Sequence, residues 1–246
     1  MIAKNRIPYL WPILTLVLLV VVALCVGESH LPSSGYSLYE LSKTIFSEKF
    51  YQFNTWRAYG SESISLSFPF GFPILLSMVG EIIGYRPSNS IYLNCFIAFL
   101  TWISLYRLCV NQLKLPILVG VSICVSLIFN QFYIFQIIQG NTIPMAILLL
   151  SLSGNAVQTS FFLTGLMIGL SAIIRFDCLF YGFAIIALIL LLGKRKILVL
   201  NNSKILKLFV GLIVGLSPWI CFSLLNFGRI WASDNSWVAL SSTYAY

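Results

Sequence analysis

Charge is what this sequence has least of. In 246 residues there are seven Asp and Glu, fifteen Lys and Arg and a single His, so that only 9% of the chain is charged. A water-facing domain of this size carries about a quarter charged residues, which excludes a soluble enzyme and a disordered linker. The basic excess is scattered singly beside apolar runs rather than gathered into a stripe, so no nucleic-acid partner is implied. No C-x-x-C pair occurs. Cys25, Cys95, Cys109, Cys124, Cys178 and Cys221 all fall in or at the edge of apolar runs, as small buried hydrophobes do, which excludes a disulfide or zinc framework. A Walker loop, a dinucleotide fingerprint, H-E-x-x-H and a nucleophile elbow are absent as well. There is no internal repeat, low-complexity tract or separate soluble domain.

Apolar runs fill the chain instead: 59% of residues are hydrophobic and the mean hydropathy is +0.93. The fold class is an all-α polytopic membrane protein with about seven transmembrane helices and a pair of interfacial or re-entrant helices in the first outer loop. The run Ile7–Gly27 follows Lys4 and Arg6. It exceeds the roughly 7–15 residues of a cleaved signal core and reads as a retained first span. Residues 28–89 form the outer loop, 90–227 hold the remaining spans, and 228–246 are an outer tail rich in Trp and Tyr; together they make one membrane domain. The later spans are Ser90–Cys109, Leu115–Asn130, Thr142–Ser153, Phe161–Ile174, Cys178–Gly193 and Ile205–Phe227.

One segment, Ile64–Gly84, decides the topology. Pro69 and Pro73 interrupt its helical ladder, and Glu81 would be costly in lipid. If it stays on the surface, the loops on one side carry Lys and Arg without any acid, from Lys4 and Arg6 through Arg107 and Lys114 to Lys194–Lys196, Lys204 and Lys207. All seven acids then share the other side. If it crosses, the Lys194–Lys196 cluster faces outward. The positive-inside rule selects the first arrangement, a multi-pass protein of the cytoplasmic membrane with its N-terminus inside. Within the outer loop, Tyr36–Phe50 places Leu38, Leu41, Ile45 and Phe46 on one helical stripe opposite Glu40, Lys43 and Glu48. That pattern predicts a helix lying in the membrane interface, apolar face down. Gly165 and Gly169 form a small-x-x-x-small pair that lets two helices approach closely.

The order of these elements resembles a family. One span precedes GYSLYELSKTIF, then come FPFGFPILLSMVGEIIG and Arg86-Pro87-Ser88, and later GLMIGLSAIIRFD and SPWICFSLLNFG. The pattern is similar to the conserved N-terminal core of the GT-C class of polyprenyl-phosphate-sugar-dependent glycosyltransferases, which includes protein O-mannosyltransferases and aminoarabinose transferases. The resemblance implies inverting transfer of a sugar from a polyprenyl-phosphate donor to a cell-envelope acceptor at the outer face. It implies a first-loop carboxylate as general base, often with a divalent metal ion. The family's acid precedes the aromatic pair of the surface helix, where this chain reads Ser33-Ser34-Gly35-Tyr36. The nearest carboxylate is Glu28, with His30 beside it. Arg57, Arg86 and Arg175 reach the outer surface in this topology and supply the planar forks that suit a lipid phosphate. Asp177, two residues beyond Arg175, completes the substrate-side set, and no side chain is assigned as a metal ligand. A partner subunit, or a C-terminal region beyond residue 246, would supply the family's variable helices. Two rival readings stand: a non-catalytic subunit of the same fold, and a transporter or flippase for lipid-linked sugars.

Overall fold

A computed structural model describes residues 33–46, 52–53, 63–64, 70–195 and 200–227, together with Ile13, Leu16, Val17, Val20, Val21, Leu198 and Ile230 as isolated positions. Among the described residues the chain is helical: α1 (Ser33–Thr44), α2 (Gly71–Ile83), α3 (Asn89–Tyr106) continued by a π-helical turn over Arg107–Gln112, α4 (Ile117–Ile128), α5 (Gln131–Ile138), α6 (Ile143–Ala156), α7 (Phe161–Ile174), α8 (Cys178–Lys194) and α9 (Asn202–Phe227). One short antiparallel pair, Gln52–Phe53 with Ser63–Ile64, lies in the first loop.

Local chemistry sets the helix ends. Asn130 caps α5, its Oδ1 accepting from the Phe132 N–H at 2.9 Å, and Ser160 caps α7 through the Leu163 N–H. Asn201 accepts from the Lys204 N–H before α9. Pro144 stands in the first turn of α6, where its missing N–H costs nothing. Pro218 sits inside α9 and cannot donate to the Val214 carbonyl four residues back. The neighbouring Ser217 hydroxyl donates to that carbonyl instead, at 2.8 Å, so the helix continues. The sharp turn from α2 to α3 runs through Gly84, whose φ of 87° suits glycine.

Beside a buried apolar core, the bundle encloses small polar residues and bares large aliphatic ones. Asn94, Thr101, Ser77, Ser90, Ser153, Thr164 and Ser171 are fully enclosed, while Leu118 (77%), Ile82 (81%) and Leu225 (86%) stand on the outside. Small polar residues between helices and bare aliphatics on the rim are what a lipid solvent selects. By length and composition, the α3 segment Asn89–Gln112 and the α9 segment Asn202–Leu225, each 24 residues, can cross a membrane. The pair α4–α5, bent by 52°, makes a third span if it is counted as one. The sequence led us to expect about seven. The count covers the described residues alone, and the expected first span Ile7–Gly27 lies almost wholly outside them; the rest of the difference is one of length, since α6 and α7 have 14 residues each and α8 has 17, against the roughly 20 that a lone crossing needs. Of the expected first span, Leu16 and Val20 pack on the cluster of Ile91, Cys95 and Trp102.

Hydrogen bonds fix how the helices run. Asn94 Nδ2 donates to the Asn141 carbonyl (2.8 Å), Asn155 Nδ2 to the Ser104 carbonyl (2.8 Å), and Gln112 Nε2 to the Asn155 carbonyl (2.5 Å). Positions rise together along both segments, so α3 and α6 are parallel. The chain between them, 113–140, therefore travels back along the length of α3. α4 and α5 make that return, rising about 18 and 12 Å, with a bend of 52° between them. The apolar run Leu115–Asn130 predicts one span ending at Asn130, whereas the structure adds α5 beyond it.

α7 and α9 are a second parallel pair. Gly165 and Gly169 of α7 meet Gly211 and Gly215 of α9 so closely that a Cβ on Gly169 would lie 2.6 Å from the Leu212 carbonyl oxygen. One on Gly215 would lie 2.6 Å from that of Leu166. The close approach read from Gly165 and Gly169 is thus present, and its partner is α9. α8 returns between the two, with Ile186 and Ile189 packed on Phe161 and Ile168.

The bundle consequently has two chemically different ends. At one end lie the α3 and α6 N-termini, the α7–α8 turn and the end of α9, with all the described acids: Glu40, Glu81 and Asp177. At the other lie Arg107, Lys114, Lys194, Arg195, Lys204 and Lys207, with no described acid. Lys204 reaches the Phe161 ring there, which ties the start of α9 to the start of α7.

Polar bonding inside the bundle also holds α3 to α6. Ser151 donates to Ser104 Oγ at 2.8 Å, and the Asn155 amide contacts the Ser104 carbonyl, Ser104 Oγ and the Ser151 carbonyl. Asn155→Leu removes these donors and strands their acceptors. We expect a loss of about 1–2 kcal/mol, read as a melting point lowered by a few degrees in detergent; an unchanged melting point would show the network to be energetically idle.

Candidate functional site

The acidic end is built by α1 and α2. Gly71, at the start of α2, rests against the Ile173 carbonyl of the last turn of α7, and the end of α2 turns within a few residues into the start of α3. Both ends of α2 therefore sit at the same end of the bundle, and the helix does not cross it. For Gly71–Gly84 this agrees with keeping the segment on one side; residues 65–69 of it lie outside the described residues.

α1 lies over α2. Leu38 packs with Phe72 and Leu76, and Leu41 and Ile45 pack with Ile173, Phe176 and Trp219. Trp219 gathers the rings of Phe70 and Phe176 at centroid distances of 5.4 and 5.0 Å. Here the structure corrects the sequence reading. The apolar stripe of α1 is buried against protein rather than laid into lipid, because α2 and the ends of α7 and α9 offer it a matching apolar floor. Phe46 leaves the stripe and is 63% exposed. Glu40 pairs with Lys43 at 2.7 Å on the opposite face.

Arg175 and Asp177 occupy the turn after α7. Arg175 Nε donates to Asp177 Oδ1 (3.0 Å) and Nη2 to Oδ2 (2.9 Å), a planar two-bond pair that leaves the side chains 31% and 50% exposed. The pair consumes two faces of the arginine fork and leaves Nη1 as its open edge. Asp177, engaged in this way, does not cap α8 with its side chain. Arg86 is exposed in the α2–α3 turn and enters none of the described ion pairs. No described hydrogen bond joins it to Arg175 or Asp177. Next to it, Tyr85 donates to Glu81 at 2.8 Å and contacts Ser77 Oγ at 3.0 Å. Burial, with the Glu81 carboxylate beside it, holds the Tyr85 phenol above its ordinary value against the opposing pull of Ser77.

Glu28, His30 and Arg57 lie outside the described residues. Among the described residues no cluster of three His, Cys, Asp or Glu stands ready to hold a metal ion. Of the expected set, then, Arg175 and Asp177 are brought together, and Arg86 shares their end of the bundle with no described hydrogen bond or ion pair to them.

The sequence reading gave no functional weight to the opposite end. Between α3 and α6 there is a cavity of about 600 Å³ lined by Arg107, Asn111, Gln112 and Asn155 among others. Its signal in the sequence is faint: Arg107 is a lone basic residue after an apolar run, and the cavity's other wall, on α6, lies more than forty residues away. Comparison with protein-family models, with curated proteins and with solved structures finds no match to this chain.

Proposed function

We propose that this chain is the membrane core of a glycosyltransferase that moves a sugar from a polyprenyl-phosphate donor to a cell-envelope acceptor at the acidic end of the bundle. In this reading the chain crosses the cytoplasmic membrane about seven times: the run from Ile7, α3, the broken span α4–α5, and α6 to α9, with the short helices accommodated by tilt and local thinning. The basic end faces the cytoplasm. The observation that carries the proposal is the position of α1 and α2 across the end that bears Arg86, Arg175, Asp177 and the described acids. Such a platform, at headgroup depth, suits a lipid-borne phosphate meeting an acceptor from outside.

The acceptor hydroxyl oxygen attacks the anomeric carbon, its proton passes to a carboxylate, and the bond from that carbon to the phosphate oxygen breaks, releasing polyprenyl phosphate. Glu28 is assigned the proton and His30 its support, while Arg57, Arg86 and the open edge of Arg175 neutralise the phosphate. Asp177 holds the Arg175 fork in one plane. A non-catalytic subunit of the same shape is the second reading. It is favoured by the commitment of Arg175 to Asp177 and by the acid-free Ser33-Ser34-Gly35-Tyr36.

Membranes carrying the full chain and a labelled polyprenyl-phosphate sugar separate these readings. A transferase loses about a hundredfold in rate with Glu28→Gln and raises its KM about tenfold with Arg175→Ala. Transfer unaltered by both substitutions would remove the site, and no transfer by the parent chain would select the subunit.

A further inference from the structure

We infer that the cavity between α3 and α6 at the basic end binds an anionic amphiphile, a lipid whose phosphate meets Arg107 and whose chain runs inward past Leu100 and Leu148. This site lies at the opposite end from the proposed transfer chemistry and does not depend on it.

Shape and charge both point to this class of ligand. The cavity, about 600 Å³, falls in the range of small-ligand sites. Its lining is graded. Leu100 lies two turns of α3 before Arg107, about 10 Å deeper in the bundle, and Leu148 faces it from α6. Toward the bundle end the lining becomes Arg107, Asn111, Gln112 and Asn155. A purely apolar guest leaves the Arg107 guanidinium without a counter-charge, and a small hydrophilic anion leaves the leucine floor uncovered; a phosphate on an acyl or prenyl chain satisfies both.

Arg107 is free for such a guest. Among the described residues it enters no ion pair, and every described carboxylate lies at the other end of the bundle. Its guanidinium therefore keeps its planar fork for a phosphate. Asn155 and Gln112, by contrast, are anchored: Gln112 Nε2 donates to the Asn155 carbonyl, and Asn155 Nδ2 to Ser104. They form a fixed wall. The π-helical turn contributes too. Over Arg107–Gln112 the backbone bonds span five residues, as from the Leu113 N–H to the Leu108 carbonyl at 2.9 Å. The wider turn brings Arg107, Asn111 and Gln112 together onto one cavity, and such turns recur at binding sites. Basic pockets between membrane helices on the positively charged side take lipid headgroups by the same physics.

The test uses the full chain, purified in detergent and delipidated, with binding read by native mass spectrometry. The probes are dioctanoyl phosphatidate, dioctanoyl phosphatidylcholine and inorganic phosphate. We expect saturable binding of phosphatidate, about tenfold or more tighter than either other probe. Arg107→Gln should weaken it about tenfold, Arg107→Lys less, and Asn111→Asp, at the exposed rim, should weaken it by like-charge repulsion. Arg195→Gln, a basic residue of the same end outside the cavity, should leave it unchanged. Equal binding of phosphatidylcholine would make the cavity merely apolar, and equal binding of inorganic phosphate would make it a site for the free anion. Equal weakening by Arg195→Gln would reduce the effect to surface charge. If Arg107→Gln does not fold, Asn111→Asp decides alone, and unchanged affinity there overturns the assignment.

Discussion

Gly165→Leu is expected to abolish the folded bundle core, and Gly211→Leu to do the same from the facing helix. Any Cβ on Gly165 would overlap the Leu208 carbonyl oxygen, and one on Gly211 would overlap that of Phe162. The obstructing atoms are backbone, so no rotamer change relieves the clash; α7 and α9 must move apart along their whole contact. Helix propensity alone would favour replacing either glycine by alanine, by about 1 kcal/mol. The steric term has the opposite sign and is larger, about 3 kcal/mol or more even for alanine, so it decides the outcome. Gly154→Ala is the control. Its Cβ would meet only the Leu108 side chain at 3.3 Å, a flexible neighbour, and we expect a change within about 1 kcal/mol. Thermal unfolding in detergent, with size-exclusion profiles, checks both. If Gly165→Leu remains monodisperse and melts beside the parent chain, the parallel α7–α9 contact is wrong.

That contact shows how far the sequence could be read. Phe161–Ile174 was legible as a helix to the residue, since Ser160 caps one end and the polar pair Arg175 and Asp177 breaks the apolar run at the other. Gly165 and Gly169 announced a close approach, but spacing along one helix does not name the partner, and Gly211 and Gly215 were paired with them only in three dimensions. α5 escaped notice because Asn130 lies inside what reads as the tail of one apolar run; its side chain caps a new helix, and that bond is invisible until the turn forms. α1 shows the reverse limit. Its apolar stripe was plain in Leu38, Leu41 and Ile45, yet amphipathicity alone does not distinguish lipid from an apolar protein floor, and here the floor is Phe72, Ile173 and Trp219. At the candidate site, the Arg175–Asp177 pair was readable from a two-residue spacing. The Arg107 cavity was not, because it needs the offset between α3 and α6, which only the hydrogen bonds of Asn94, Gln112 and Asn155 supply.

The same offset makes an all-or-none prediction about sidedness. Reporter domains fused after Lys114 and after Gly140 should report opposite sides of the membrane, the first cytoplasmic and the second external. Fusions after Asp177 should report external and those after Arg195 cytoplasmic. The reasoning is geometric before it is electrostatic. Asn94 meets Asn141 near the acidic end, and Gln112 meets Asn155 near the basic end. The chain leaving Gln112 must therefore reach Asn141 across the depth of α3, about 27 Å for its 18 intervening steps, and the bent pair α4–α5 is the only connection it has. Charge then chooses the direction: Lys114, Lys194, Arg195, Lys204 and Lys207 share one end with no described acid, and the proposed orientation puts that end in the cytoplasm. A reversed pattern at all four sites would keep the fold and invert its insertion. The same reading at Lys114 and Gly140 would instead make α4–α5 re-entrant, and the Asn94–Asn141 and Gln112–Asn155 bonds could not then both form, since one of the two asparagines would lie at the wrong end of α3.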